Sequence, residues 1–332
     1  MQTSLHPATA HIRAEDTACA VATQTGCALC SGPTGSAVGG LFDTRFGIEG
    51  EFGIVRCLRC GFEQLAPLPA PMELKHLYQR FYNFPGERGT GYTVLRDWFF
   101  ASPLYRMWIR LDGDISFHTR RGRGRLLDVG CNEGRTLKNY ARNGFEAEGT
   151  ELNETAAQVA REAGFAVSTA PLEEFFPASL FDVAVLSNVL EHALDPRQML
   201  GSVERLLKPH GQVWISCPNS QSRFRAWFGK RWIHWHVPFH ISHFSSQSLR
   251  RLLQENGFQE IEIRQITPAL WVASSMVTRL FARPGKPTRQ LRNPLLMCGL
   301  VLLCRALLFP LLYSANRAGR GDCLVATATR AG

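Results

Sequence analysis

Ten residues, Arg125-Leu-Leu-Asp-Val-Gly-Cys-Asn-Glu-Gly134, set the frame for everything else this chain can do. Leu126, Leu127 and Val129 suit a strand buried on both faces, Asp128 sits at its carboxyl end, and Gly130 and Gly134 bracket a turn that opens into the run Thr136 to Tyr140. A strand, a glycine-bearing turn and a helix in that order form the first half of a βαβ unit, which implies a parallel sheet covered by helices. Glycines there let the backbone approach a ligand that a Cβ would push away. The spacing disfavours a dinucleotide. Pyrophosphate at a helix N-terminus calls for Gly-x-Gly-x-x-Gly, whereas an acid precedes the first glycine here and Asn132 stands where the second would be. An acid at that strand end repels phosphate and favours a ligand carrying an ammonium or sulfonium.

Asp128-Val129-Gly130-Cys131-Asn132-Glu133-Gly134 resembles the first motif of the class I S-adenosylmethionine-dependent methyltransferases. Two further runs extend the resemblance. Phe145 to Glu151 reads as a second strand ending in a carboxylate about 20 residues on, the place where an α/β nucleoside site puts the acid that accepts both ribose hydroxyls. Phe181 to Pro196, with Asn188, Glu191 and His192, resembles the fourth strand and following turn of that superfamily, and Leu206 to Gly211 the turn before its fifth strand. The resemblance implies a Rossmann-like, doubly wound seven-stranded α/β sheet. It also implies a cofactor set of Asp128, Gly130, Asn132, Gly134, Glu151, Leu152 and Asn188 around S-adenosyl-L-methionine. Thr169 to Leu172 lacks a carboxylate for adenine, so backbone contacts are expected there.

Capping agrees with this fold. Asn153 is placed to start a helix with Ala156, Val159, Ala160 and Ala163 on one face and Gly164 after it, and Asp195 to start another with Pro196 in its first turn. Ser246 to Gly257 reads as a further helix, Gly211 to Cys217 and Phe258 to Arg264 as the fifth and sixth strands, and Asp322 to Ala328 as the last.

At 332 residues two domains are the expectation. The segments proposed are a tail at 1–25 without periodicity, a ribbon at 26–68, a helical cap at 69–118, the cofactor domain at 119–265 with 321–330, and an apolar insertion at 266–320. No basic start followed by an apolar run is visible in the first 26 residues, so a cytoplasmic protein with reduced cysteines is expected. The net charge of +9 permits attraction to nucleic acid, anionic lipid or nucleotide-linked substrates and needs a location before it means more.

Cys27-x-x-Cys30 and Cys57-x-x-Cys60-Gly61 have the spacing of two knuckles supplying four thiolates to a tetrahedral structural zinc. A closed four-sulfur site leaves no position for catalysis. Between the pairs only Arg45 and Arg56 are basic, against Asp43, Glu49 and Glu51, so no nucleic-acid surface is expected. The resembling methyltransferases include a group with such an N-terminal module, several acting on nucleotide-linked sugars or in polysaccharide and natural-product pathways. After the ribbon, Leu74, Leu77, Tyr78 and Phe81 form a helical stripe, expected to pack as core, although Tyr78 and Tyr82 could face an acceptor. The basic run Arg120 to Arg125 reads as a solvated approach loop.

Ser220 to Phe244 holds three tryptophans and His234, His236, His240 and His243. Four histidines invite a metal, but no Asp, Glu or Cys nearby in sequence completes a shell, and lining of an acceptor site is the preferred reading. His192 is the first candidate for a general base, at the carboxyl end of the fourth strand, and His240 the second. The insertion from Gln265 to Gly321 carries apolar stretches at Ala269–Phe281 and Leu295–Tyr313 around Arg283, Lys286, Arg289 and Arg292. Arg305, Gly299 and Pro310 interrupt the longer one, and a single crossing would strand the last β-strand on the wrong side. Peripheral contact with the cytoplasmic membrane face through 269–313, a homodimer or cap interface, and true spanning stay open in that order.

The function expected is methyl transfer to an O or C nucleophile of a small or lipid-linked acceptor, a saccharide or natural-product intermediate. The alternative is a non-catalytic, zinc-dependent interaction protein on a decayed methyltransferase core.

Overall fold

Alternation along the strands decides which layer covers which face of the sheet. A computed structural model describes residues 26–82, 98–100 and 102–332, so the expected tail lies outside the described residues. The N-terminal part contributes β1 (Thr34–Leu41), β2 (Phe52–Cys57) and β3 (Glu63–Ala66), then α1 (Pro71–Leu77) continuing into one wider helical turn at Tyr78–Tyr82. α2 (Pro103–Asp112) follows, capped by Ser102, whose hydroxyl accepts from the Tyr105 N–H. The cofactor domain then runs β4 (Arg125–Val129), α3 (Arg135–Arg142), β5 (Glu146–Thr150), α4 (Glu154–Glu162), β6 (Val167–Ser168), β7 (Phe181–Ser187), α5 (Pro196–Leu206) and β8 (Leu207–Pro218). After it come α6 (Arg223–Phe228), β9 (Ser242–His243), α7 (Ser246–Glu255) and β10 (Phe258–Ile266). The insertion supplies α8 (Ala269–Phe281), α9 (Pro294–Leu307) and α10 (Phe309–Arg317), and β11 (Cys323–Arg330) closes the sheet.

The seven-stranded sheet has the order β10-β11-β8-β7-β4-β5-β6, parallel from β8 to β6 and antiparallel at β11 and β10. This is the expected Rossmann-like α/β architecture. On one face Leu127, Val129, Ala184, Leu186, Val213 and Ile215 pack with α5 and α7 through Leu200, Val203, Leu249 and Leu252. On the other, Leu126, Val183, Val185 and Trp214 meet Tyr140 of α3 and Trp271 of α8. Successive side chains pointing to opposite faces, all apolar, are what a strand buried on both sides requires.

Three local readings need correction. The turn expected at Leu206–Gly211 is an irregularity inside β8, whose pairing with β7 jumps from Phe181↔Leu207 to Val183↔Gln212. The buried face of α4 is Ala157 with Ala160, and Ala163 is exposed because the helix stops at Glu162 and leaves Ala163 as its C-cap. The basic approach to β4 is not merely solvated. Arg120 lies over the Trp214 ring at 4.7 Å, and Arg125 lies over Phe181 at 4.6 Å while pairing with Glu148.

A smaller four-stranded sheet, β1-β2-β3-β9, joins the cysteine ribbon to the histidine-rich loop. β9 comes from that loop and pairs antiparallel with β3 through Glu63↔His243 and Gln64↔Ser242. Glu63, almost fully buried, receives Arg225 of α6 at 2.6 Å and pairs also with Arg56. Two guanidiniums on one buried carboxylate lock ribbon to loop, since a buried charge is tolerated only when paired and hydrogen-bonded.

Candidate functional site

The turn after β4 adopts its shape because three of its residues are left-handed: Gly130 at φ +71°, Asn132 at +50° and Gly134 at +74°. Asparagine is the side chain that best tolerates this region, which accounts for Asn132 at a position where glycine is usual. A Cβ on Gly134 would sit 2.8 Å from the Ala160 Cβ, so glycine is needed there for packing as well as conformation. The Gly130 and Cys131 N–H groups donate to the Thr150 carbonyl at 2.8 and 3.0 Å, tying the turn to the end of β5.

Glu151 follows β5 directly, and its two oxygens accept from the backbone N–H of Asn132 at 3.0 Å and of Asn153 at 2.8 Å. One carboxylate thus fixes both the turn and the start of α4, while staying half-buried. Leu152 beside it is 74% exposed, an apolar side chain with nothing over it. Asp128 is placed differently from the charge argument made on its position. It is buried beneath the turn, the Thr136 hydroxyl donates to it, and burial, with Glu151 nearby, pushes its carboxyl up to about 7. Glu151, at the end of β5, is the more exposed of the two acids.

Next to this turn is the end of β7. Asn188 is left-handed at φ +56° and its N–H donates to the Ser216 carbonyl at 2.9 Å. Val189 lies against Gly130, 3.0 Å from where a Cβ would stand. One tight helical turn, Leu190–His192, then presents Glu191 and His192. His192 Nδ1 meets the Tyr78 hydroxyl at 2.7 Å and the Phe239 carbonyl at 3.1 Å. His240 reaches the same place because the Ile241 N–H donates to the Glu191 carbonyl at 2.8 Å. Its Nδ1 contacts the His234 carbonyl at 2.9 Å, which requires the proton on Nδ1 and leaves Nε2, 4.0 Å from Glu191 Oε1, as the lone-pair nitrogen. The rings of His192 and His240 are edge to face at 4.7 Å, as are those of His236 and His240.

The reading that no acid attends these histidines is therefore corrected. Glu191, remote in sequence, is 1% exposed and neither of its oxygens has a hydrogen-bond partner among the described residues. Burial pushes it up to about 8 and, with a small contribution from Arg45, pushes His192 down to about 4; His234, His236 and His240 are held well below their ordinary value by the same loss of water. Glu191, His192 and His240 offer ligand atoms within 4.8 Å of one another, the donor types a divalent cation takes. His243 is buried in the joint between ribbon and loop, packed on Trp235 at 5.3 Å.

The four cysteines converge as their spacing implied. Cys27 and Cys60 sulfurs are 3.6 Å apart and Cys30 and Cys57 3.4 Å, with all four within 4.8 Å. Zinc with bonds of about 2.3 Å to four sulfurs separates them by about 3.8 Å, so the set fits such an ion. The backbone N–H groups of Cys60 and Arg59 outweigh burial at Cys57 and bring its thiol down to about 6, whereas burial pushes the thiols of Cys27 and Cys60 up. Thiolate is the form that binds metal.

Sequence reasoning missed Glu191 and underrated Tyr78, whose stripe partners Leu74, Leu77 and Phe81 do pack as core while its hydroxyl reaches His192. Nothing is described of the Tyr82 side chain. It also missed Tyr105, whose hydroxyl meets His118 Nδ1 at 2.8 Å beside Asn139 of α3; neither lies in a motif, and only folding brings them together.

A methyltransferase domain family matches residues 107–263. Among curated proteins, the ubiquinone biosynthesis O-methyltransferase of Pseudomonas paraeruginosa is 35% identical over 142 residues, 40% of this chain and 57% of that protein. Its counterpart in Pectobacterium carotovorum is 32% identical over 111 residues, 31% of this chain and 46% of that one. The chain spans about half the length of these relatives. Among solved structures, a S-adenosylmethionine-dependent methyltransferase from Thermotoga maritima is 18% identical at a TM-score of 0.46, covering 77% of this chain and 99% of that one. The 1,6-didemethyltoxoflavin-N1-methyltransferase of Burkholderia thailandensis, solved with S-adenosylhomocysteine, is 17% identical at 0.44, covering 83% and 98%. The turn after β4 and the carboxylate after β5 both lie inside the stretch, residues 107–263, that is similar to the methyltransferase domain family.

Proposed function

We propose that the protein is an enzyme that moves a methyl group from S-adenosyl-L-methionine to an oxygen or carbon nucleophile of a small or lipid-linked acceptor, a saccharide or natural-product intermediate. The observation that carries this reading is the contact between the two halves of the crevice. Val189 touches the cofactor turn at Gly130, and three residues on His192 is bonded to Tyr78. When bound, S-adenosylmethionine supplies a methyl group made electrophilic by its sulfonium. Glu151 would accept the ribose hydroxyls on lone pairs its two backbone donors leave over, Leu152 would cover the adenine, and Asp128 would act through the turn it supports. Gly130, Asn132, Gly134 and Asn188 would let the backbone come close.

On the acceptor side, the residues have two tasks, orientation and proton removal. Holding nucleophile and methyl in line can be worth about 7 to 11 kcal/mol. A base adds about 10² to 10⁴-fold for a hydroxyl or an acidic C–H. His192 is neutral near pH 7, the state that accepts a proton, and His240 presents the lone pair of Nε2. Glu191, at about 8, lies within about a unit of neutrality, where a carboxyl both takes and releases a proton. The curated relatives are named O-methyltransferases, which supports oxygen over carbon. The four-cysteine ribbon would hold a structural zinc. Calorimetric titration of the full chain with S-adenosylhomocysteine tests the reading: one saturable site per chain is expected, and no saturable heat with ligand in excess would refute it.

A further inference from the structure

The helices of the insertion are apolar on the side that faces away from the protein. α9 and α10 bury Cys304, Leu312 and Ala315 against α8, through Ala273 and Met276. Yet the opposite side carries Leu295 at 85%, Leu302 at 61%, Leu307 at 69% and Phe309 at 46% exposed. A surface helix in water presents polar residues outward, and one that is apolar all round belongs in a core or in lipid. In α9 the single charged residue is Arg305, and it is turned inward, donating to the Leu111 carbonyl and lying 3.8 Å from Asp112. That contact docks the C-terminal end of α2 beside α9, and α2 itself carries exposed Leu104, Met107 and Leu111. The surface therefore spans several elements, more than the scattered exposed leucines of an ordinary monomer.

Charge says what covers it. From Gln265 to Gly321 there are seven arginines and one lysine and no carboxylate. Arg279, Arg283, Lys286, Arg289, Arg292, Arg317 and Arg320 are all exposed, and so are Arg106 and Arg110 on α2. A second copy of this chain would bring the same cations against these, whereas an anionic surface complements them. No single helix among the described residues is long enough to cross: α9 has 14 residues, about 21 Å against a hydrocarbon core of about 30 Å, and α10, which together with α9 has the length and composition of a broken span, turns away from it by 68°.

We propose that α9, α10 and the outer side of α2 form a docking face for an anionic lipid bilayer, with both helices lying in the interface and the cations around them on the headgroups. The inference stands apart from the methyl-transfer reading, since it uses no residue of the crevice. α8, which carries the face on one side, sets Trp271 against His234 on the other at 3.8 Å between ring centroids, so a docked protein holds its acceptor crevice close to the lipid.

Flotation of the full chain with vesicles tests this. Binding to vesicles of phosphatidylcholine with one-quarter phosphatidylglycerol is expected, at least tenfold stronger than to phosphatidylcholine alone. Binding should be at least tenfold weaker in the Leu295→Asp, Leu302→Asp, Leu307→Asp variant. The same loss is expected in a variant with Arg283, Lys286, Arg289 and Arg292 changed to Glu, whose surface substitutions leave the core untouched. S-adenosylhomocysteine affinity, measured in parallel, should stay unchanged in both variants. The proposal is overturned if the full chain ignores anionic vesicles or binds neutral ones equally. It is also overturned if bound protein resists alkaline carbonate extraction as a spanning protein does, or if the chain is a vesicle-indifferent dimer that the leucine variant splits.

Discussion

Replacing Glu151 with Ala isolates the cofactor site, because this carboxylate has two separable roles. In the protein alone it accepts two backbone N–H groups, from Asn132 and Asn153, each charge-assisted. In the complex proposed it also accepts ribose hydroxyls. A hydrogen bond to a charged group is worth about 1.5 to 3 kcal/mol net, so losing one ribose contact weakens binding about 10- to 150-fold, and losing both weakens it further. The loss to the turn is smaller, since both N–H groups lie where water can replace the carboxylate. Calorimetry with S-adenosylhomocysteine should give an affinity lower by tenfold or more, with a melting temperature that falls by only a few degrees. Glu151→Gln, which retains a carbonyl acceptor, should fall between wild type and Ala. Unchanged affinity in Glu151→Ala would show that the ribose lies elsewhere, and a collapse of thermal stability would show that the carboxylate serves the turn alone.

A purified chain with a four-sulfur zinc site should contain one tightly held metal equivalent that the Cys57→Ser, Cys60→Ser double variant lacks, read by elemental analysis; metal retained in that variant would move the site to Glu191, His192 and His240. Asp322 should give a pH signature in stability. It is fully buried, accepts from the Ser222 hydroxyl and the Trp232 indole, and burial still carries it up to about 6. A carboxyl whose folded value is raised holds its proton more tightly folded than unfolded, so its contribution is present below about 4 and is lost as pH rises to about 6, a change on the order of 3 kcal/mol. The difference in melting temperature between wild type and Asp322→Asn should therefore shift in favour of Asn across that range, and a constant difference would count against the assignment.

What the sequence disclosed was local. The strand, turn and helix from Arg125 to Arg142 lie within one βαβ unit, and the Asn153 and Asp195 caps act on N–H groups two or three residues away, so adjacency along the chain is adjacency in space. The carboxylate after β5 was readable because a parallel sheet puts neighbouring strand ends side by side. What stayed hidden was assembled across long separations. His192 meets a carbonyl 47 residues on and a hydroxyl 114 residues back, and no periodicity records either. Asp128 misled for a different reason. Its position at a strand end suggested a charge offered to a cationic ligand, but the side chain is buried and the Thr136 hydroxyl donates to it. Glu191 was adjacent to a residue already singled out, and its burial could not be read from its type, since glutamate is almost never fully buried unless paired.

The two halves of the crevice differ in how they are held, and this gives the ribbon a purpose beyond its own fold. Among the described residues, the bonds that shape the cofactor turn come from Thr150 at the end of β5 and from Glu151 after it. The wall proposed to face the acceptor is fixed by the ribbon. β3 pairs with β9, the Leu65 N–H donates to the Ile241 carbonyl at 2.8 Å, Phe46 packs on Phe239 at 5.7 Å, and Glu63 clasps Arg225. Ile241 in turn is bonded to Glu191, so the position of His240 depends on strands that the four cysteines close at one end. A metal at those cysteines can add no chemistry to the reaction, because its ligands are complete. Its effect travels through β2 and β3 to the place where Glu191, His192 and His240 meet. Losing it would therefore loosen the acceptor wall and leave the cofactor turn in place.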